Sequence, residues 1–422
     1  MLLWLPVAAA REPLTLLDAF FTATSAVCVT GLIVVDTPND LSIFGQWVVL
    51  LLIQAGGLGY MSITTVVAVA IGKQLTMHER LTLQEALNVQ TMEGLIRFVV
   101  NVFKLTLAFE IVGALVLGLR WTEELGVGRA FYAGLFHSVS AFNNAGFSLF
   151  PDSLMRYRDD PVVNATILTL IVCGGLGFVV LTELGRLGQR RRLSVHTRLV
   201  LSMSAALIVG TTIAIFVLES RNPRTIGDLA LPQGLLASLF QAVTPRTAGF
   251  NTLDIGALTP ATLFLLMVLM FIGAAPGGTG GGIKLTTFGI TVAALWATVR
   301  GSHDTTVFKR RLAPEVVARA FFISLIAFLA LNVVAALLLI TEDRGLLPTL
   351  FETVSAAGTV GLSMGESGAP VSLVAQFSAA GKLLIIATMY MGRLGPLTLA
   401  VAIARRGTPP RVRYPEGKIL VG

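Results

Sequence analysis

Four stretches of the chain share one pattern of residue types. Residues 21–32 read FTATSAVCVTGL, 136–147 FHSVSAFNNAGF, 240–250 FQAVTPRTAGF and 351–362 FETVSAAGTVGL. In three of them a Phe leads a serine by four positions and a glycine follows six later. The third is one residue shorter, with Thr244 and Gly249. The chemistry open to this pattern is ligation of a desolvated cation by backbone oxygen. An alkali cation must exchange its water shell for oxygen ligands, which rings of carbonyls provide. A strand whose carbonyls all turn to one side needs backbone angles that glycine adopts without steric cost. The residues that fit are Val27, Cys28, Val29, Thr30 and Gly31, then Asn143, Asn144, Ala145 and Gly146. The other two strands are Thr247, Ala248 and Gly249, and Gly358, Thr359, Val360 and Gly361. One copy alone would read as a helix-packing glycine. Four copies in register, at intervals of about 110 residues, make an internal repeat.

A second set of glycines lies downstream of each of the first. It reads Gly56-Gly57-Leu58-Gly59, Gly174-Gly175-Leu176-Gly177 and Gly392-Arg393-Leu394-Gly395-Pro396. In the third repeat it is enlarged to GAAPGGTGGGIK over 273–284, holding Gly273, Pro276, Gly277, Gly278, Thr279, Gly280, Gly281, Gly282 and Lys284. So many glycines with a proline cannot sustain a helix, so the span is expected to break into a loop. A loop just inside the glycine strands would act as a gate that obstructs a pathway and moves aside. A phosphate loop is excluded because Ile283 separates Gly282 from Lys284, and a dinucleotide fingerprint lacks its strand.

The elements that must position these residues follow from composition. The chain has 422 residues, 54% hydrophobic and only 13% charged, with mean hydropathy +0.79. A soluble domain carries about 25% charged residues, so the expected class is an all-α polytopic membrane protein. Apolar stretches long enough to span lie at 95–119, 162–184, 199–218, 261–299, 316–340 and 371–404, with 47–71 in the first repeat. Between them lie shorter stretches at 14–25, 129–140, 232–243 and 346–355, which suit re-entrant helices. Each repeat is thus a span, a short re-entrant helix, a glycine-marked strand and a span, with the four strands aimed at one shared axis. The repeats run 1–72, 95–187, 198–300 and 314–405, followed by a tail at 406–422. The opening 1–10 is too short to cross a bilayer, and a start upstream is expected.

Basic residues gather in the loops after the second spans. They are Arg186, Arg190, Arg191, Arg192 and Arg198, then Arg300, Lys309, Arg310, Arg311 and Arg319, then Arg405, Arg406, Arg411, Arg413 and Lys418. The positive-inside rule puts these in the cytoplasm. The net charge of +7 therefore reflects topology, with no basic-aromatic patch for nucleic acid. Asp36, Asp40, Glu123, Glu124, Asp152, Asp159, Asp160, Asp228, Asp254, Glu342, Asp343 and Glu366 fall on the other side, an expected acidic vestibule. Arg393 and Glu110 are charges within apolar spans; Arg393 is a candidate either to pair with the loop or to repel cations and set the barrier below the strands, and Glu110 has no evident role in conduction. Lys104, Arg97 and Lys382 read as structural. His78, His137, His196 and His303 are scattered at loop or helix-end positions. Cys28 and Cys173 lack metal-ligand spacing. No catalytic constellation is present, so no enzyme is expected.

The stretches TSAVCVTGL, SAFNNAGF, TPRTAGFNT and SAAGTVGLS, with GAAPGGTGGGIK and MGRLGPLT, resemble the Trk/Ktr/HKT potassium transporters over nearly the whole chain. The length resembles the Ktr membrane subunits. The resemblance implies four M1–P–M2 units around a pseudo-fourfold pore, with filter glycines at Gly31, Gly146, Gly249 and Gly361. It implies a gate loop at 273–284 and a pore arginine at Arg393. It also implies a homodimer in the bacterial plasma membrane, filter side outside and termini cytoplasmic, on a cytosolic RCK-type nucleotide-binding ring (KtrA-like). The transported ion would be K+, with Na+ permeation or Na+-coupled symport as the alternative. A scaffold without conduction is the reading from another class. No cofactor is expected on this chain; the nucleotide would sit on the partner.

Overall fold

The computed structural model describes residues 2–59, 92–186, 192–302, 304–365 and 371–395, with the side chains of 92–97 outside that set. The described residues are mostly helical. The helices are α1 (Leu16–Val27), α2 (Ile43–Leu58), α3 (Met92–Leu125), α4 (Val127–Phe142), α5 (Pro161–Leu176), α6 (Phe178–Leu184) and α7 (Val195–Glu219). They continue as α8 (Leu231–Val243), α9 (Pro260–Ile272), α10 (Leu285–Val299), α11 (Pro314–Thr341), α12 (Leu346–Gly358) and α13 (Ala379–Leu394). A two-stranded hairpin, β1 (Thr306–Val307) with β2 (Arg310–Arg311), lies before α11.

Local sequence accounts for where these helices begin. Their first N–H groups lack helical partners, and hydroxyl or carboxyl side chains supply them. Thr15 caps α1 at Asp18, Ser42 caps α2 at Gly45, and Ser194 caps α7 at Thr197. Asp160 caps α5 at Val162 and Val163, with Pro161 pre-set at the first helical position. Ser378 caps α13 at Gly381.

Glycine accounts for where four of them stop. Helices α2, α5, α9 and α13 end at Gly59, Gly177, Gly273 and Gly395, with φ of 77°, 89°, 62° and 86°. A side chain is strained in that left-handed region. At Gly177 the chain turns through 105° between α5 and α6, where the sequence suggests an unbroken span over 162–184. The expected span 261–299 is interrupted between α9 and α10. The expected span 371–404 starts as a 3-10 turn, Leu373–Gln376, before α13. Residues 2–10 form two 3-10 turns, with the Ser42 hydroxyl donating to the Val7 carbonyl. Residues 60–71, Pro396 and the tail 406–422 lie outside the described residues, as do Arg190, Arg191, His78, His303, Glu366, Arg405, Arg406, Arg411, Arg413 and Lys418.

At Gly177 a Cβ would meet the Pro276 carbonyl inside 3.0 Å. Gly177→Ala is therefore expected to destabilise the fold by about 1–2 kcal/mol, lowering the melting midpoint in detergent. Gly210→Ala, on α7 with nothing nearby, should leave that midpoint unchanged or raise it.

Three helices, Phe98–Leu125, Val195–Glu219 and Pro314–Thr341, are long and apolar enough to cross a membrane, and the bent pair α5–α6 makes a fourth. Their outer faces carry exposed Leu107, Ile111, Leu115, Val209, Ile213, Phe322, Leu325, Phe328 and Val333. The interior holds buried Ser25, Asn143, Thr247, Glu352 and Arg246. Apolar side chains outside and polar ones inside is the distribution a lipid surround favours.

Candidate cation pathway

The shared sequence pattern resolves into one local structure built four times. The Phe of each copy (Phe21, Phe136, Phe240, Phe351) is fully buried and anchors its short helix. The hydroxyl residue then folds the following strand back on the helix end. Its carbonyl accepts from the residue before the glycine: Thr30 N–H to Ser25, Ala145 to Ser140, Ala248 to Thr244 and Val360 to Ser355, at 2.7–2.9 Å. Its hydroxyl holds the backbone at or just beyond the glycine. Ser25 and Ser355 accept from Gly31 and Gly361 N–H at 3.1 Å. Ser140 and Thr244 donate to the Phe147 and Phe250 carbonyls. This double tie explains why a small hydroxyl stands five or six residues before each glycine.

The four strands share an alternation of backbone hand. Gly31, Gly146, Gly249 and Gly361 have φ of 90°, 70°, 77° and 91°. Two residues earlier Val29, Asn144, Thr247 and Thr359 also lie at positive φ, between 50° and 71°. The glycines close a ring. A Cβ on Gly31 would meet the Ala145 carbonyl, on Gly146 that of Ala248, on Gly249 that of Val360, and on Gly361 that of Thr30, each inside 3.0 Å. The carbonyl preceding each glycine thus faces the neighbouring strand all the way round. A cavity of about 400 Å³ opens onto all four glycines. Of the acids expected in a vestibule, Asp36, Asp152 and Asp254 line it. Asp152 is paired with Arg156 at 2.9 Å, and burial raises the Asp36 carboxyl above its usual range against a bond from Asn39. Asp160 pairs with Arg120, and Glu342 accepts from Ser378 at the start of α13, so those two serve the scaffold.

The glycine-rich loop lies at the other, helix end of the strands. Its neck closes where Ala274 N–H meets the Gly281 carbonyl and Leu285 N–H the Ala274 carbonyl. Ala275 and Thr279 N–H donate to the Gly175 and Gly174 carbonyls, and Phe178 N–H to that of Gly277. Gly278 N–H turns back to Ala275, and Pro276 faces Gly177. The Thr279 hydroxyl donates to the Phe142 carbonyl at 3.0 Å, where α4 ends. Gly280 abuts the Thr247 hydroxyl and Gly281 that of Thr359, so neither position has room for a side chain. Gly273, Gly277 and Gly282 turn the loop at positive φ. Lys284 Nζ donates to the Gly280 carbonyl at 2.7 Å. Arg393 donates to the Thr279 carbonyl and, from its other nitrogen, to those of Gly56 and Gly57. Among the described residues no carboxylate pairs with it. Its guanidinium therefore staples the loop to the end of α2.

Several contacts escape the sequence. Glu110, with no role evident in the pattern, bonds Asn143 at 2.9 Å. Arg246 on the third strand is buried and donates to Ser204 on α7. His137 sits inside α4, away from the helix-end position expected, between the Ala133 carbonyl and the Ser148 hydroxyl. Lys382 pairs with Asp18 at 2.8 Å, joining α13 to α1. Cys28 and Cys173 are free thiols. The contacts of Glu110, Arg246 and Lys382 join residues far apart in the chain, which no periodic signal marks.

The cation transport protein family TrkH matches residues 2–408. Ktr system potassium uptake protein B of Bacillus subtilis is 42% identical over 422 residues, covering 100% of this chain and 93% of that protein. Potassium/sodium uptake protein NtpJ of Enterococcus hirae is 34% identical, covering 96% and 90%. The crystal structure of the potassium transporter TrkH from Vibrio parahaemolyticus superposes with a TM-score of 0.74 at 20% identity, covering 93% and 79%.

Proposed function

The chain belongs to the TrkH family of membrane cation transporters, not enzymes, and on that premise we propose that it is the K+ uptake subunit of a Ktr-type system. Four M1–P–M2 units surround one pore, with α1, α4, α8 and α12 as the re-entrant pore helices. K+ passes the ring of Gly31, Gly146, Gly249 and Gly361, ligated by the carbonyls of the four strands. The loop 273–284 obstructs the inner end and Arg393 holds it there. The protein acts as a homodimer in the bacterial plasma membrane, the glycine cavity outside. A cytosolic RCK-type nucleotide-binding ring controls the loop.

The observation that carries this reading is the closed ring, in which each glycine abuts a carbonyl of its neighbour. A scaffold has no use for four buried strands with left-handed backbone. Inward movement needs no coupled ion, because the membrane potential supplies about 2.3 kcal/mol per charge per 100 mV. The second reading, Na+ permeation or Na+-coupled symport, is favoured by the Enterococcus relative's name and by a single glycine per strand.

The test is K+ and Na+ flux into proteoliposomes driven by each gradient in turn, with reversal potentials. Selective K+ flux without fixed Na+ stoichiometry is expected. A fixed flux ratio would establish symport, and no flux from folded protein with an RCK ring added would overturn transport altogether.

A further inference from the structure

Behind the second glycine strand, outside the ring of glycines, lies a buried carboxyl. Glu110 stands midway along the apolar span Phe98–Leu125 and is 3% exposed. Among the described residues no Lys, Arg or His pairs with it. An ionisable residue at such depth is costly and calls for a function. Its Oε1 accepts from Asn143 Nδ2 at 2.9 Å. The same amide reaches Gln54 Oε1 at 3.0 Å and the Val139 carbonyl at 2.9 Å. The Glu110 carbonyl accepts from Ser138 at 2.7 Å, pinning α4 to α3.

Asn143 is the residue at which the chain leaves α4, three before Gly146. Asn144 then turns to φ 58°, and Ala145 presents its carbonyl toward Gly31. A non-glycine residue in the left-handed region persists only where its surroundings hold it. The Asn143 side chain points away from the ring and is held by α3 on one side and α2 on the other. The residue at the same register in the third strand, Arg246, likewise reaches outward to Ser204 on α7. In the fourth it is Gly358, with no side chain to tie.

We propose that Glu110 is a selectivity-determining positioning residue: its hydrogen bond to Asn143 holds the second strand so that the Ala145 carbonyl keeps its place in the ring. The inference rests on the pore reading above. Selectivity by carbonyl ligation depends on the number and placing of the oxygens, so releasing one strand of four should admit Na+ before it stops K+. Because the bond acts by geometry, a neutral amide of the same length serves in its place.

The experiment compares Glu110→Leu, Glu110→Gln and Asn143→Ala with the unmodified chain in proteoliposomes. The readouts are the K+/Na+ permeability ratio and the rise of the melting midpoint in detergent on adding K+ or Na+. Glu110→Leu and Asn143→Ala are each expected to lower the ratio about tenfold, the scale of one lost hydrogen bond between buried groups. Glu110→Gln should restore it. Asn143→Ala carries the test alone if Glu110→Leu does not fold. An unchanged ratio in a folded variant, or a Gln variant as unselective as the Leu one, would overturn the proposal. Loss of K+ preference in the unmodified protein, in both flux and melting, would instead overturn the pore reading on which it rests.

Discussion

Gly361→Ser is expected to lower K+ flux, or the preference for K+ over Na+, by about 100-fold. A serine there would hold φ of 91°, and left-handed backbone costs a side chain about 1–2 kcal/mol. Its Cβ would also press on the Thr30 carbonyl and on Gly31, and overpacking of that kind costs about 1–3 kcal/mol. Together about 3 kcal/mol must be relieved by moving backbone, and the backbone that can move is the ring itself. A shift of a few tenths of an ångström in a carbonyl changes ligation of a dehydrated cation, and about 3 kcal/mol corresponds to roughly 100-fold. Gly31→Ser should behave alike, since it meets the Ala145 carbonyl at φ of 90°. Proteoliposome flux and K+ affinity measure both; unchanged affinity in the two variants would show that the ring is not the filter.

The second large effect is expected at Arg393, where Gln should raise basal K+ flux about tenfold or more. The guanidinium donates to the loop at Thr279 and to α2 at Gly56. Hydrogen bonds from a charged donor contribute about 1.5–3 kcal/mol each. Losing one frees the loop by at least a factor of ten, and removing a buried cation lowers the barrier to another cation. Deleting residues 277–282 should act in the same direction. Measured without any cytosolic partner, a fall in flux from correctly folded Arg393→Gln would make the staple a structural support and not a latch.

The sequence shows periodic features well and contacts poorly. Four buried Phe residues, four hydroxyl residues and four glycines recur at nearly the same spacing because each set builds the same helix end, so the pattern survives one-dimensional reading. The break at Gly273 follows from composition, whereas the one at Gly177 does not, because the apolar run over 162–184 is continuous. The positive φ of Val29 and Thr359 does not, because β-branched residues avoid that region and only the ties to Ser25 and Ser355 hold them there. The role of Glu110 is hidden for a different reason: its partner Asn143 stands at the end of another helix, and nothing along the chain announces the meeting. Of the loop acids, Asp36, Asp152 and Asp254 line the cavity, while Asp160 and Glu342 serve the scaffold, a division that position along the chain does not show.

The ring of Gly31, Gly146, Gly249 and Gly361 is made by one polypeptide, not by four copies of one. In an assembly of identical subunits a substitution is printed four times, so its consequence is all or nothing. Here each quadrant can be altered alone, in series, and the ring's tolerance read as a dose. The same independence lets the quadrants differ from one another, as Asn143, Arg246 and Gly358 do at one shared register.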